Sequence, residues 1–239
     1  ETALNPHFNG QDKVVLLLRN AYESLLARTP DGGFLPWLAT GYTLSADGKT
    51  LSFTLRQDVK FSDGSALDAA AVVRNFKAIQ DPAYTSSSGS LAAHGARLAD
   101  VKALDAYTVQ LTLKQAYAPF LAFAGSFALL SPASFDKPNI KSGGVGIAGT
   151  GPFVLQTYQK GQQLEFARNA AYNWAPSNAG HQGPAYLERV TYRFLPESSV
   201  RTGALLSGQV DLIEGISGND ARLFKDSPEY SYHLSLIHI

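Results

Sequence analysis

Apolar positions along the chain repeat with two different periods. Between positions 14 and 26, Val14, Val15, Leu17, Leu18, Tyr22, Leu25 and Leu26 recur at spacings of three and four. This predicts a helix with one buried face, beginning after Asp12 and ended by the turn residues Pro30-Asp31-Gly32-Gly33. Over 43–55 the period changes to two: Leu51, Phe53 and Leu55 alternate with Ser52, Thr54 and Arg56, a hairpin pattern around Asp47-Gly48. A second turn is predicted at Asp63-Gly64. Asp68 is the candidate N-cap of a helix carrying Val72, Val73, Phe76 and Ile79, which Pro82 closes. Residues 83–97 are rich in Ser and Ala without a clear period and read as a loop with about one helical turn.

The alternating pattern returns at 101–104 and 107–113 around Asp105-Ala106, and short apolar pieces over 118–136 are interrupted by Pro119 and Pro132. The polar stretch 137–151 carries five glycines and is the best domain-boundary candidate by composition. Beyond it, Phe153-Val-Leu155 and Leu164-Glu-Phe166 flank a turn at Lys160-Gly161. Residues 169–185 read as a loop, and 187–195 as a strand with Val190, Tyr192 and Phe194 on one face. A helix from about Glu197 is stopped by Gly208, and 210–213 reads as a short buried strand. Strands and helices alternate irregularly, which predicts a mixed α/β (α+β) fold rather than a sandwich or a bundle.

Composition narrows the chemistry. The 239 residues are 45% apolar and 17% charged, with twenty basic against twenty acidic side chains. That balance disfavours nucleic acid or an anionic membrane surface as partner. Cysteine is absent, which excludes disulfides, thiolate metal sites and a cysteine nucleophile. The longest apolar run, 14–18, is far short of a membrane span. Methionine is absent too, so the chain is expected to begin inside a longer reading frame, with any signal segment outside it. The closing Leu234-Ser-Leu-Ile-His-Ile239 reads as a non-native tail.

Gly144-Val-Gly-Ile-Ala-Gly149 matches a dinucleotide-binding spacing, but that mechanism needs a preceding strand and a following helix, and here a polar loop precedes and Pro152 opens a strand. Five histidines are scattered without metal-ligand spacing, and neither a G-x-S-x-G elbow nor an H-E-x-x-H pair occurs. Nothing in the sequence supplies a catalytic group, a metal site or a cofactor motif. Aromatics on alternating strands belong to the core. Those in loops, Phe8, Tyr84 and Phe127, are the candidates for a cleft.

Taken in order, the motifs resemble the family 5 extracellular solute-binding proteins of ABC importers, the peptide- and nickel-binding type. Leu4-Asn-Pro-His7 is similar to the family's opening, and Tyr22-Glu-Ser-Leu-Leu26 follows. Phe53-Thr-Leu-Arg56 with Val59-Lys-Phe-Ser-Asp-Gly64 is the most specific stretch. Gly149-Thr-Gly-Pro-Phe153, Arg168-Asn169, Tyr172, Pro196-Glu197, Arg201, Ala204-Leu205, Gly208 and Val210-Asp211 complete the set.

The resemblance implies a bilobed periplasmic-binding-protein-like fold. Its first lobe would comprise 1–28 and 149–216, with an accessory domain inserted at 29–148. The second lobe would begin at 217–233 and be otherwise missing, making the chain an N-terminal fragment. It implies a non-enzymatic component that captures a small solute, most simply a di- or oligopeptide, by hinge closure, with a nickel chelate or other small solute as the alternative. A hydrolase or a sensor module on the same fold is a distant alternative. The implied partners are the ligand and ABC permease subunits, the implied state a monomer. The implied location is periplasmic, or extracellular and lipid-anchored in a single-membrane bacterium.

Regions that face the cleft in relatives map to Phe8, Asn9, Gln11 and Asp12, to Tyr84 and His94, to Phe127, and to the crossing Gly215, Ile216 and Ser217. Asp12 could meet a peptide's amino end or cap the following helix. Leu35-Pro-Trp-Leu-Ala39 and Asp100-Val-Lys-Ala-Leu104 lean toward the nickel-binding branch. Ala128, however, stands where that branch is expected to carry an arginine, and 83–97 has no tryptophan.

Overall fold

The computed structural model describes residues 3–8, 12–225 and 227–233, with the backbone alone at 12 and 13. The chain divides into two compact units, residues 1–158 with 164–191, and residues 159–163 with 192–239.

In the first unit, α1 (Asp12–Leu18) is followed by the short antiparallel pair β1 (Leu26–Arg28) and β2 (Phe34–Pro36). A four-stranded antiparallel sheet then forms in the order β3 (Ala39–Leu44), β4 (Thr50–Leu55), β6 (Thr108–Leu113), β5 (Leu98–Ala103). Its register places Phe53 opposite Val109 and Leu51 opposite Leu111. The alternation read from the sequence is realised: Leu51, Phe53, Leu55, Val109, Leu111 and Leu113 are all buried, while Ser52, Thr54 and Gln110 face outward. Helix α2 (Ala69–Ala78) packs on β5 and β6 through Val72, Phe76 and neighbours, and the Asp68 carboxylate accepts from the Ala71 N–H as its N-cap.

Three sequence expectations are corrected here. The first helix stops at Leu18 instead of continuing through Leu26. Residues 21–27 are all buried, and their carbonyls serve other segments: Gly151 N–H donates to Ala21, Leu129 to Glu23 and Ala39 to Leu25. A helix would consume those acceptors internally, so the segment stays extended. Residues 82–97 form two helices, α3 (Pro82–Thr85) and α4 (Gly89–Arg97), rather than a loop. Pro82 opens α3 at its first turn instead of merely closing α2, a position where proline's missing N–H costs nothing. In α4 only Leu91 and Gly95 are buried, so no periodic apolar face shows in the sequence; Ser88 caps it by accepting from Leu91 N–H. Residues 210–213 are not a strand, and Leu212 is 79% exposed; among the described residues no strand lies beside them to pair.

Gly95 lets α4 press against the end of α2: a Cβ there would sit 1.8 Å from the Ile79 carbonyl oxygen. Helix α5 (Phe120–Ser126) starts immediately after Pro119, and a 3₁₀ turn spans Pro132–Asp136. The glycine-rich 137–151 stretch is packed: Gly143 bridges to Leu4, and the Tyr22 hydroxyl donates to the Ile147 carbonyl. At Gly144 no strand precedes and no helix follows within 144–152, so the dinucleotide spacing stands in the wrong backbone context. The sheet β7 (Phe153–Gln159), β8 (Gln163–Arg168), β9 (Arg189–Arg193) follows in that spatial order. Its Lys160-Gly161 turn is as expected, Gly161 having φ +73°.

The second unit holds α6 (Ser198–Leu206) and α7 (Arg222–Lys225). Gly208 terminates α6 at φ +69°. The Arg201 guanidinium donates to the carbonyls of Leu195, Pro196 and Gly215.

Candidate functional site

A cleft of about 570 Å³ opens in the first unit. Its floor is the extended segment 22–28, whose conformation is fixed by the backbone bonds described above. One wall comes from Pro6, His7 and Phe8 with Val15, Leu18 and Arg19. A second stretch of wall, adjoining the first where His7 stacks on Phe127, comes from Ser88, Ser90, Leu91 and His94 of the α4 region, together with Phe123, Ser126, Phe127 and Ala128. Trp37, Pro176 and Asn178 complete it.

Aromatic rings pack along this wall. His94 stacks on Phe123 at 3.8 Å with the planes 3° apart, and His7 stacks on Phe127 at 4.3 Å. His7 is 7% exposed. Its Nε2 donates to the Ala128 carbonyl at 2.7 Å, which leaves Nδ1 to accept from the Tyr84 hydroxyl at 2.8 Å. Burial lowers the His7 pKa to about 4, against the opposing pull of the Ala128 bond, so the ring is neutral at pH 7. His94 is also lowered, by burial and then by the nearby Arg97 charge, and its Nδ1 is shielded without a hydrogen-bond partner.

Glu23 is the buried carboxyl of the floor, 2% exposed. Tyr172 O–H donates to its Oε1 at 2.6 Å; Thr150 O–H and Trp174 N–H donate to its Oε2 at 2.9 and 3.0 Å. Those donors favour the ionised form, yet burial outweighs them and lifts the pKa to about 8.

Three of the residues singled out from the sequence, Phe8, His94 and Phe127, line this cleft. Tyr84 stands one layer behind, 8% exposed, with its ring 4.9 Å from that of Phe8 and its hydroxyl on His7. Asn9 and Gln11 lie outside the described residues, as does the Asp12 side chain. Gly215, Ile216 and Ser217 lie in the second unit, where Ser217 Oγ donates to Asp220 at 2.7 Å. Sequence reasoning missed His7, Arg19, Glu23, Arg28 and Phe123. Only the Leu4-Asn-Pro-His7 and Tyr22-Glu motifs carried any signal for them.

A second, more open depression of about 610 Å³ lies beside Pro36, Trp37 and the Arg56–Asp58 ion pair. It is shallow, and its charged pair is internally satisfied. Among the described residues no group of three His, Cys, Asp or Glu could hold a metal ion, and no helix is long and apolar enough to cross a membrane.

Comparison with known proteins gives a consistent result. The model of the bacterial extracellular solute-binding proteins, family 5 (middle), matches residues 33–236. The nickel-binding periplasmic protein of Escherichia coli K12 is 35% identical over 97% of this chain, which spans 43% of that relative's length. The ABC transporter-associated periplasmic binding protein DppA of Helicobacter pylori, solved with the peptide STSA, superposes with a TM-score of 0.78 at 27% identity, covering 95% of this chain and 47% of that one. NikA of Brucella suis, solved with Fe(III)-EDTA, gives 0.76 at 30% identity, covering 93% and 44%.

Proposed function

The chain belongs to the bacterial extracellular solute-binding proteins of family 5, and on that footing we propose that it is the solute-capturing part of an ABC importer, with a di- or oligopeptide as ligand. The observation that carries this is the cleft itself. It is ringed by stacked aromatic side chains, and its deepest polar groups, His7 and Glu23, are already spent on internal hydrogen bonds. Such a surface offers apolar contact and a few polar rim groups, which suits reversible binding, and its described lining residues present no activated nucleophile or exposed general base.

Phe8, His94 and Phe127 make the contact surface in this reading, with Tyr84 supporting it from behind. The family resemblance adds Asn9, Gln11 and the side chain of Asp12, which lie outside the described residues, and Gly215, Ile216 and Ser217 as the crossing toward a second lobe. Capture proceeds by hinge closure: ligand that touches both lobes favours the closed state, and the permease subunits read that state. The protein works as a monomer outside the cytoplasm, periplasmic or lipid-anchored, without a cofactor and without bond making or breaking. The likeness to DppA in complex with a peptide supports the peptide reading.

A nickel chelate is the second reading, favoured by the 35% identity to the nickel-binding periplasmic protein of Escherichia coli. Native mass spectrometry and elemental analysis of the freshly purified protein separate the two. Intact peptides released on denaturation support the first reading, and stoichiometric nickel the second. Cleaved peptides accumulating on incubation would overturn both.

A further inference from the structure

Resting on the reading of this cleft as the ligand site, we propose that Trp37 sets ligand length: its ring partitions the cleft from the outer depression, and the site admits ligands that stop short of that ring. Among the described residues, Trp37 is the one shared by the two linings. The chain facing it forms a thin wall. Ala175 and Ser177 line the depression, whereas Pro176 and Asn178, their immediate neighbours in sequence, line the cleft. Two concavities are thus separated by a single stretch of backbone and one indole.

The backbone around Trp37 is pinned. The residue occupies the short connection between β2 and β3, and its N–H donates to the Ala39 carbonyl. Leu38 and Ala39 are wholly buried; the Leu38 carbonyl accepts from Arg56 N–H, and Ala39 N–H donates to Leu25 of the cleft floor. The half-buried ring has no comparable tether. Its indole N–H lies near the Tyr172 hydroxyl, shielded from solvent but outside hydrogen-bond geometry. Truncating the ring therefore breaks no hydrogen bond and leaves the frame of the wall in place. Beyond the ring, the depression offers Thr40, Gln57, Ser177 and Gln182 beside the Arg56–Asp58 ion pair. Hydroxyl and amide groups suit further peptide units, whose N–H and C=O groups need partners wherever they leave water. A longer peptide collides with Trp37 in the parent protein and gains that polar surface once the ring is gone.

Calorimetric titration of the protein, expressed from its full reading frame, tests this with triserine and hexaserine, which carry the same termini and differ in length alone. The expected result is that triserine binds at least roughly tenfold more tightly than hexaserine. Trp37→Ala should bring the two within about twofold by strengthening the longer peptide, while Trp37→Phe, which keeps a ring, should preserve most of the gap. Where Trp37→Ala does not melt cooperatively, Trp37→Leu makes the same comparison. If the parent protein binds both lengths alike, or the shortened side chain weakens both equally or leaves the gap unchanged, the partition falls while the binding-protein reading stands. If neither peptide binds a parent protein that melts cooperatively, the peptide reading falls and the partition with it.

Discussion

The hydroxyl of Tyr172 donates to the Glu23 carboxyl at 2.6 Å, joining two positions 149 residues apart in sequence. With Thr150 and Trp174 on the second oxygen, this single side chain fastens the floor of the cleft to a loop that has no regular structure of its own. A buried hub of this kind is stabilising only while every member is satisfied.

Removing the hub is therefore costly. Glu23→Ala strips an acceptor from two hydroxyls and an indole N–H and should destabilise the unit by about 3 kcal/mol, whereas Glu23→Gln keeps one oxygen acceptor and should cost about 1 kcal/mol. Urea midpoints of the two variants against the parent protein check the order and size.

The same carboxyl sets one limb of the pH profile. Its folded pKa of about 8 lies above the ordinary 4.5, so the native state binds the proton more tightly than the unfolded chain. The stability it contributes is fully present below pH 4.5 and is lost as pH rises toward 8. Denaturant unfolding at a series of pH values should show this decline, and Glu23→Gln should flatten it.

His7 works in the opposite sense. Its folded pKa of about 4 lies below the ordinary 6.5. Its contribution is complete above pH 6.5 and fades as pH falls toward 4, where the unfolded chain takes up the proton first. His7→Gln, which retains a donor for the Ala128 carbonyl, should remove this acid limb and leave the alkaline one unchanged in the same titration.

Two glycines should answer oppositely to alanine. Gly95→Ala drives a Cβ into the Ile79 carbonyl and should cost about 3 kcal/mol through displacement of α4. Gly203→Ala, in the exposed interior of α6 with open space around it, should stabilise by about 1 kcal/mol. Thermal unfolding of both variants side by side is the check.

In the cleft, Phe123→Ala removes the ring on which His94 stacks. Affinity for the ligand that co-purifies should drop roughly tenfold, measured by calorimetry.

The sheet β3–β6 was legible because alternation at Leu51, Phe53, Val109 and Leu111 is a local signal, and its turns are marked by Asp-Gly and Asp-Ala pairs. Segment 21–27 was not, because Leu25 and Leu26 are buried from all sides and a fully buried strand shows no clean period. Helix α4 hid behind Ser, Ala and Gly, although Ser88 before Leu91 is a capping signature that could have been read. Family motifs led to Phe8, His94 and Phe127. Arg19, Glu23 and Phe123 escaped because the cleft draws on five stretches far apart in sequence, and no window of the chain contains more than one wall of it.

The reach of Glu23 also fixes an order of events during synthesis. Its donors lie 127, 149 and 151 residues downstream. The four-stranded sheet needs nothing beyond Leu113 and is free to pair as soon as that residue clears the ribosome. The cleft floor must wait with its acid short of a partner until Trp174 emerges, so a nascent chain stalled between those two points would display a finished scaffold around an unfinished cleft.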